Sequence, residues 1–252
     1  TNAKGNAGKI TITTPQKIEL TNNSKLKAET TGSGNAGTIN IQTENLNLSE
    51  QVAISAETNS QGQAGNIKIN SQTVTIGKGT EISATAGKKA TSTGDGGNIT
   101  INTNDLKISG KLGIFAETKG ESNAGTLTIT PYKTNPDLNS KTDPNINITF
   151  IDQGFISART TSTGSGGKIE ISAPEKIHIT GNGKISVETT GTGDGGIINI
   201  EAGEMNAPNS IISAKSTGAG NAGTIDITAQ GDITTGVVTS AAKNKRETAD
   251  GG

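Results

Sequence analysis

The sequence has no cysteine and no tryptophan, and its 252 residues hold one histidine, one methionine, one tyrosine and three phenylalanines. Without cysteine there is no disulfide framework and no thiolate metal site. A compact globule of this length needs a broad core with several aromatic anchors. Tyr132, Phe115, Phe150 and Phe155 are the whole aromatic stock, and only 29% of residues are apolar. No run approaches the ~18 apolar residues of a membrane-spanning helix. The opening Thr1-Asn2-Ala3-Lys4-Gly5 does not read as a signal peptide, and the chain is expected to come from the middle of something longer. A net charge of −1, with Lys and Arg scattered among Asp and Glu, leaves no electrostatic footprint for nucleic acid. Disorder pairs low hydropathy with high net charge, so the same balance argues against a disordered chain. What survives these exclusions is a thin core repeated along an axis.

The repeat is there. A short motif closing on (Ala/Gly)-Gly and followed by x-aliphatic-x-Ile recurs eight times, its last glycine falling at Gly8, Gly37, Gly65, Gly97, Gly125, Gly167, Gly196 and Gly223. The intervals are 29, 28, 32, 28, 42, 29 and 27 residues. Ala249-Asp250-Gly251-Gly252 is expected to open a further coil.

Each repeat holds three short stretches with apolar residues at every second position, the signature of strands with one buried face. The first runs from Ile10/Ile12 through Ile39/Ile41 and Ile99/Ile101 to Ile225/Ile227. The second runs through Ile18/Leu20, Leu46/Leu48, Val74/Ile76, Leu106/Ile108, Ile148/Phe150 and Ile177/Ile179, and degrades to Met205/Ala207 and Ile233. The third pairs an aliphatic with a small residue: Leu26/Ala28, Ile54/Ala56, Ile82/Ala84, Ile114/Ala116, Ile156/Ala158, Ile185/Val187 and Ile212/Ala214. No stretch carries the i, i+3, i+4 spacing of a helix. Three strands in about 28 residues make one coil of a parallel β-helix, so the expected fold is all-β: residues 1–252 as one continuous right-handed β-solenoid segment of about eight coils. The Gly-rich turns are expected to bend sharply, often with φ > 0. The recurring Ala should close a narrow corner.

Several motifs mislead. Gly32-Ser33-Gly34-Asn35-Ala36-Gly37 has the spacing of a dinucleotide fingerprint, as do 191–196 and 218–223. That fingerprint follows a strand and opens a helix, whereas these glycines precede a strand and recur with the coil. His178 has no second His or Cys to complete a zinc or triad arrangement, and its simple reading is a surface residue. Solenoid enzymes that cleave polysaccharides need acid/base groups and aromatic platforms concentrated in a cleft. The sequence concentrates neither, and the expectation is no enzyme, no catalytic residue, no metal and no cofactor. The outward column Thr11, Asn40, Lys68, Thr100, Thr128, Glu170, Asn199 and Asp226 is too irregular for an ice-binding array.

Two polar columns have a pattern. Asn6, Asn35, Gln63, Asp95, Asn123, Ser165, Asp194, Asn221 and Asp250 read as amides stacked along the axis. Glu29, Glu57, Thr85, Glu117, Arg159, Glu188 and Lys215, each after the corner residue, read as a solvated face with modest ion pairing.

Segments such as Leu46-Asn47-Leu48, Val52-Ala53-Ile54-Ser55-Ala56-Glu57-Thr58 and Gly62-Gln63-Ala64-Gly65-Asn66-Ile67 resemble the repeats of filamentous haemagglutinin-like exoproteins, those of cyanobacteria above all. The resemblance covers nearly the whole chain at the level of repeat type. It implies export by two-partner secretion, a secreted or cell-surface location outside a bacterial outer membrane, and a structural stalk or fibre. The partners expected are neighbouring coils of the same longer chain, copies joined laterally or end to end, and a surface glycan or protein, with no nucleic acid and no membrane insertion. The alternative function is an adhesin module. Its recognition element would be a lateral face or the insertion Pro131–Asn145, which accounts for the 42-residue interval and carries three prolines. That loop is expected to protrude, with Tyr132, Lys133, Asp137, Lys141 and Asp143 as candidate contacts.

Overall fold

A computed structural model of the chain describes residues 5–87, 94–133 and 144–242. Among the described residues there are eighteen strands and no helix. Coil 1 carries β1 (Lys9–Thr13), β2 (Lys17–Leu20) and β3 (Lys25–Lys27), and coil 2 carries β4 (Thr38–Leu48) and β5 (Ala53–Ser55). Coil 3 has β6 (Asn66–Ile76) and β7 (Glu81–Ser83), and coil 4 has β8 (Ile99–Asn102), β9 (Asp105–Ser109) and β10 (Gly113–Phe115). Coil 5 has β11 (Thr126–Thr130), β12 (Ile146–Ile151) and β13 (Phe155–Ser157), and coil 6 has β14 (Lys168–Thr180) and β15 (Lys184–Ser186). β16 (Ile197–Ser213) forms coil 7, and β17 (Thr224–Ala229) with β18 (Ile233–Thr239) forms coil 8. Long strands such as β4, β14 and β16 run round a corner of the coil and serve two faces.

Every strand pairs in parallel with its counterpart one coil away. The first column is continuous, Ile10↔Ile39↔Ile67↔Ile99↔Leu127↔Ile169↔Ile198↔Ile225. The third is too, Leu26↔Ile54↔Ile82↔Ile114↔Ile156↔Ile185↔Ile212↔Val238. These side chains form one apolar core along the whole axis, buried from Ile39 to Ile212. Because each coil is covered only by its neighbours, the outermost coils are half open: Ile10 and Ile225 are partly buried, and Ile233, Val237 and Val238 are exposed.

The second column holds with one correction. β12 pairs with β9 as Ile148↔Leu106 and Phe150↔Ile108, but with β14 as Ile146↔Ile177 and Ile148↔Ile179. The stack slips by two residues at coil 5, so Phe150 does not lie under Ile179. A Cβ on Gly183 would meet the Phe150 ring at 1.9 Å, and one on Gly154 would meet it at 2.9 Å. The aromatic ring is too large for an aliphatic slot, and two glycines make its room.

The closing glycine of each repeat serves close approach rather than φ. Gly65 N–H donates to the Ala56 carbonyl at 2.7 Å, and Gly97 N–H to the Ala84 carbonyl at 2.8 Å. A Cβ at Gly97 would sit 1.8 Å from the Gly65 oxygen and 2.9 Å from the Ala84 Cβ. Glycine and the corner Ala are therefore one packing unit, as the small-residue corner requires. Left-handed backbone occurs instead at the turn between second and third strands: Asn22, Asn23, Glu50, Gln51, Gly79, Gly110, Asp152, Gln153 and Gly181 have φ between 55° and 89°.

Polar columns brace the coils. Asn6 Oδ1 accepts from Asn35 N–H at 2.8 Å, Asn35 Oδ1 from Gln63 N–H at 2.9 Å, and Asn123 Oδ1 from Ser165 N–H at 2.9 Å. The expected amide stack is thus a side-chain-to-backbone ladder, its acceptor equally a carboxylate, as where Asp194 accepts from Asn221 N–H at 2.7 Å. A further column runs Thr30↔Thr58↔Ala86↔Thr118↔Thr160↔Thr189↔Ser216↔Ala242. Its first seven members are buried. Threonine fits there because its hydroxyl accepts the N–H two residues on, as Thr58 does from Ser60 at 3.3 Å.

Candidate functional site

The third face departs from its sequence reading. Apart from the exposed Arg159, the column after the corner residue is buried or half-buried rather than solvated, because each glutamate reaches along the axis to a serine of the next coil. Ser55 Oγ donates to Glu29, Ser83 to Glu57, Ser157 to Glu117 at 2.6 Å, and Ser213 to Glu188. The serines come from the small outward position between the buried aliphatic and the corner residue (Ile-Ser-Ala). At 1% to 3% exposure, Ser55, Ser83, Ser157 and Ser213 are buried under their partners.

This Ser–Glu ladder is interrupted at two neighbouring places. Thr85 stands where coil 3 would have glutamate, its hydroxyl 2.9 Å from Ser83 Oγ, whose own proton goes to Glu57; in the coil above, Phe115 replaces the serine. Arg159 stands where coil 5 would have glutamate, and a guanidinium only donates. Ser186, one coil on, is consequently 3% exposed with no hydrogen-bond partner on Oγ. Ser157 and Phe115 are in register, as are Phe155 and Gly113, so the two phenylalanines are diagonal neighbours across β10 and β13. Both rings face outward, which the period-two pattern dictates, since Ile114 and Ile156 between them point into the core.

The interruption is a groove of about 180 Å³ floored by Phe115, Phe155 and Ser186 and rimmed by Lys111, Arg159 and Lys184. Arg159 Nε lies 2.9 Å from Glu117 Oε1, and Lys184 Nζ lies 2.8 Å from Glu188 Oε2. Lys111 is exposed and forms no ion pair among the described residues. Burial pushes the Glu117 carboxyl above the usual carboxylate range, against the pull of Arg159 and Ser157. Glu188 is also raised by burial, but hydrogen bonds from Lys184 and Ser213 outweigh that and hold it below the usual range. Three cations and one carboxylate line the groove, so its field favours an anion.

Of the insertion residues, Tyr132 is half-buried and Lys133 exposed, and Asp137, Lys141 and Asp143 lie outside the described residues, as does Ala249–Gly252. The start of the insertion is anchored: Asn70 Nδ2 donates to the Lys133 carbonyl at 2.9 Å, and Lys133 N–H donates to Asn70 Oδ1 at 3.3 Å. The insertion leaves the coil at the corner between first and second strands, so the structure does not join Tyr132 or Lys133 to the third-face groove. The groove was not anticipated. Its signal was one large aromatic, Phe115, in an outward column otherwise made of Lys27, Ser55, Ser83, Ser157, Ser186 and Ser213.

His178 faces outward between Asn147 and Asn206 on the second face, half-buried, with Nδ1 buried and unpartnered. Among the described residues no group of three or more His, Asp or Glu side chains could hold a metal ion, and no helix is long and apolar enough to cross a membrane. Comparison with family models, curated proteins and solved structures finds no match for the chain.

Proposed function

We propose that this chain is a rod segment, the stalk of a secreted or cell-surface filamentous exoprotein of the haemagglutinin-like type. The observation that carries the reading is the unbroken register of the first and third columns through all eight coils. Each coil presents its successor with the same first and third faces, so length is gained by adding coils and stability grows with the stack. A parallel ladder advances ~4.8 Å per coil, giving roughly 40 Å for these eight. The resemblance of the repeats supports export through two-partner secretion, to the outer side of a bacterial outer membrane.

The test is to follow the parent protein in its own cell, with an epitope in the Pro131–Asn145 insertion. Surface labelling of intact cells and fibres that shorten when whole coils are removed support the stalk reading. An intracellular epitope, or fibres of unchanged length, would overturn it. A lateral-face adhesin is the second reading, and the break in the Ser–Glu ladder at Phe115 and Arg159 favours it.

A further inference from the structure

We propose that the groove at Phe115 and Phe155 binds an acidic saccharide, one uronic-acid-type ring seated on the two phenylalanines with its carboxylate toward Lys111. Four observations converge on this occupant. The aromatic pair is partly exposed, with Phe115 in an outward column that otherwise holds only lysine, serine and threonine, and it supplies the flat apolar surface on which the C–H face of a sugar ring rests. The volume, about 180 Å³, lies below the ~300–1,000 Å³ of pockets that enclose whole small molecules. It suits one ring of a chain that continues along the rod. Ser186 Oγ is a buried hydroxyl without a partner, so the groove already contains a polar group that a ligand hydroxyl or carboxylate can satisfy. The rim is rich in donors and positive in balance, with Lys111 uncommitted to any carboxylate among the described residues.

An extended peptide fits less well. Peptides that dock on sheets add a strand to an open edge, and here β10, β13 and β15 are paired on both sides by neighbouring coils. No backbone is free to receive one. The ligand must be held by side chains alone, which favours a rigid ring with peripheral oxygens. The stalk reading does not depend on this site, nor the site on the stalk.

The experiment uses the 252-residue chain and a galacturonic acid oligomer, with a glucose oligomer of equal length and oligoglutamate as comparison ligands, by titration calorimetry at two salt concentrations. Circular dichroism of each variant verifies the fold. Saturable binding of the acidic oligomer, weakened by salt and at least about tenfold tighter than the neutral one, is expected. Lys111→Glu, at an exposed position, should weaken it about tenfold or more, and Phe115→Ala with Phe155→Ala should abolish it. Asn45→Ala, on another face, should leave it unchanged. No saturation at millimolar oligomer, equal binding of the glucose oligomer, or full affinity in either groove variant overturns the proposal. Oligoglutamate binding as tightly as the sugar overturns it in favour of an acidic peptide.

Discussion

Ser157 Oγ donates to Glu117 Oε1 at 2.6 Å, whereas Ser186, the next serine along the axis, has Arg159 in place of that glutamate and no partner. The two serines are equally buried, at 3% exposure. They therefore form an internal control for the worth of the ladder. Ser157→Ala should cost about 1–3 kcal/mol, because a buried carboxylate loses a donor. Ser186→Ala should cost less than about 0.5 kcal/mol or stabilise, because it removes a buried group that bonds to nothing. Denaturant titration of both variants checks the difference. Equal losses would mean that Ser186 has an acceptor after all.

The corner gives a second prediction. Ala84 is fully buried, and Gly97 packs so closely that any Cβ there would lie 1.8 Å from the Gly65 oxygen. Ala84→Leu should overpack the corner and cost about 1–3 kcal/mol. Gly97→Ala should cost at least as much, because its obstacle is backbone. Lys68→Leu, on the outward side of the first face, should cost less than about 0.5 kcal/mol, as should Gly8→Ala, where no atom lies within 4 Å of the added Cβ. Melting temperatures of the four variants separate the two groups; a costly Lys68→Leu would invert the inside/outside assignment.

How far the sequence could be read follows from where its period stays strict. Ile10 to Ile225 in the first column and Leu26 to Ile212 in the third are period-two aliphatics anchored to a repeating glycine, and they fix register because a slip of one residue would turn the core outward. A slip of two does not, and that is the one that occurs at Phe150. Alternation alone cannot distinguish Ile146/Ile148 from Ile148/Phe150 as the pair above which Ile177/Ile179 stack. The groove is not legible in the column after the corner residue, because that column shows its charges but not the serines of the neighbouring column that they meet. That Glu117 meets both Ser157 and Arg159 is decided by the coil above, about 40 residues later in sequence. Charge along a single strand does not carry that information.

Stability should respond to pH in opposite ways at two glutamates of one column. Burial raises the Glu57 carboxyl above its ordinary value, against the hydrogen bond from Ser83 and with help from nearby Glu29 and Glu81. The folded chain then holds that proton to higher pH than the unfolded chain, so this contribution is full below the ordinary carboxyl range and lost as pH rises through the folded value. Glu188 is depressed, so its contribution is present at neutral pH and lost as pH falls. Glu57→Gln should flatten the decline in stability as pH rises above the ordinary carboxyl range, raising the midpoint at the upper end. Unfolding midpoints across that rise test it. A variant whose pH profile coincides with that of the unmodified chain would place Glu57 in solvent.

The slip at coil 5 yields the last prediction, which concerns Phe150 and Gly183. Phe150 is 3% exposed, and a Cβ on Gly183 would lie 1.9 Å from its Cγ and 2.2 Å from its Cδ2. No left-handed φ is required at Gly183, so the glycine is there for the ring and not for the backbone. Gly183→Ala should therefore cost about 1–3 kcal/mol through overpacking. Phe150→Leu should cost about 1–2 kcal/mol, because the slot made for a ring is then partly empty. In the double variant the smaller side chain vacates the space that the new methyl needs, so the losses should not add. The coupling expected for residues in such contact is about 0.5–3 kcal/mol, with the double variant more stable than the sum of the single losses allows. A double-mutant cycle from denaturant titrations measures it directly. If the two losses add within about 0.5 kcal/mol, the ring does not occupy the space over Gly183, and the two-residue slip between β12 and β14 needs another cause.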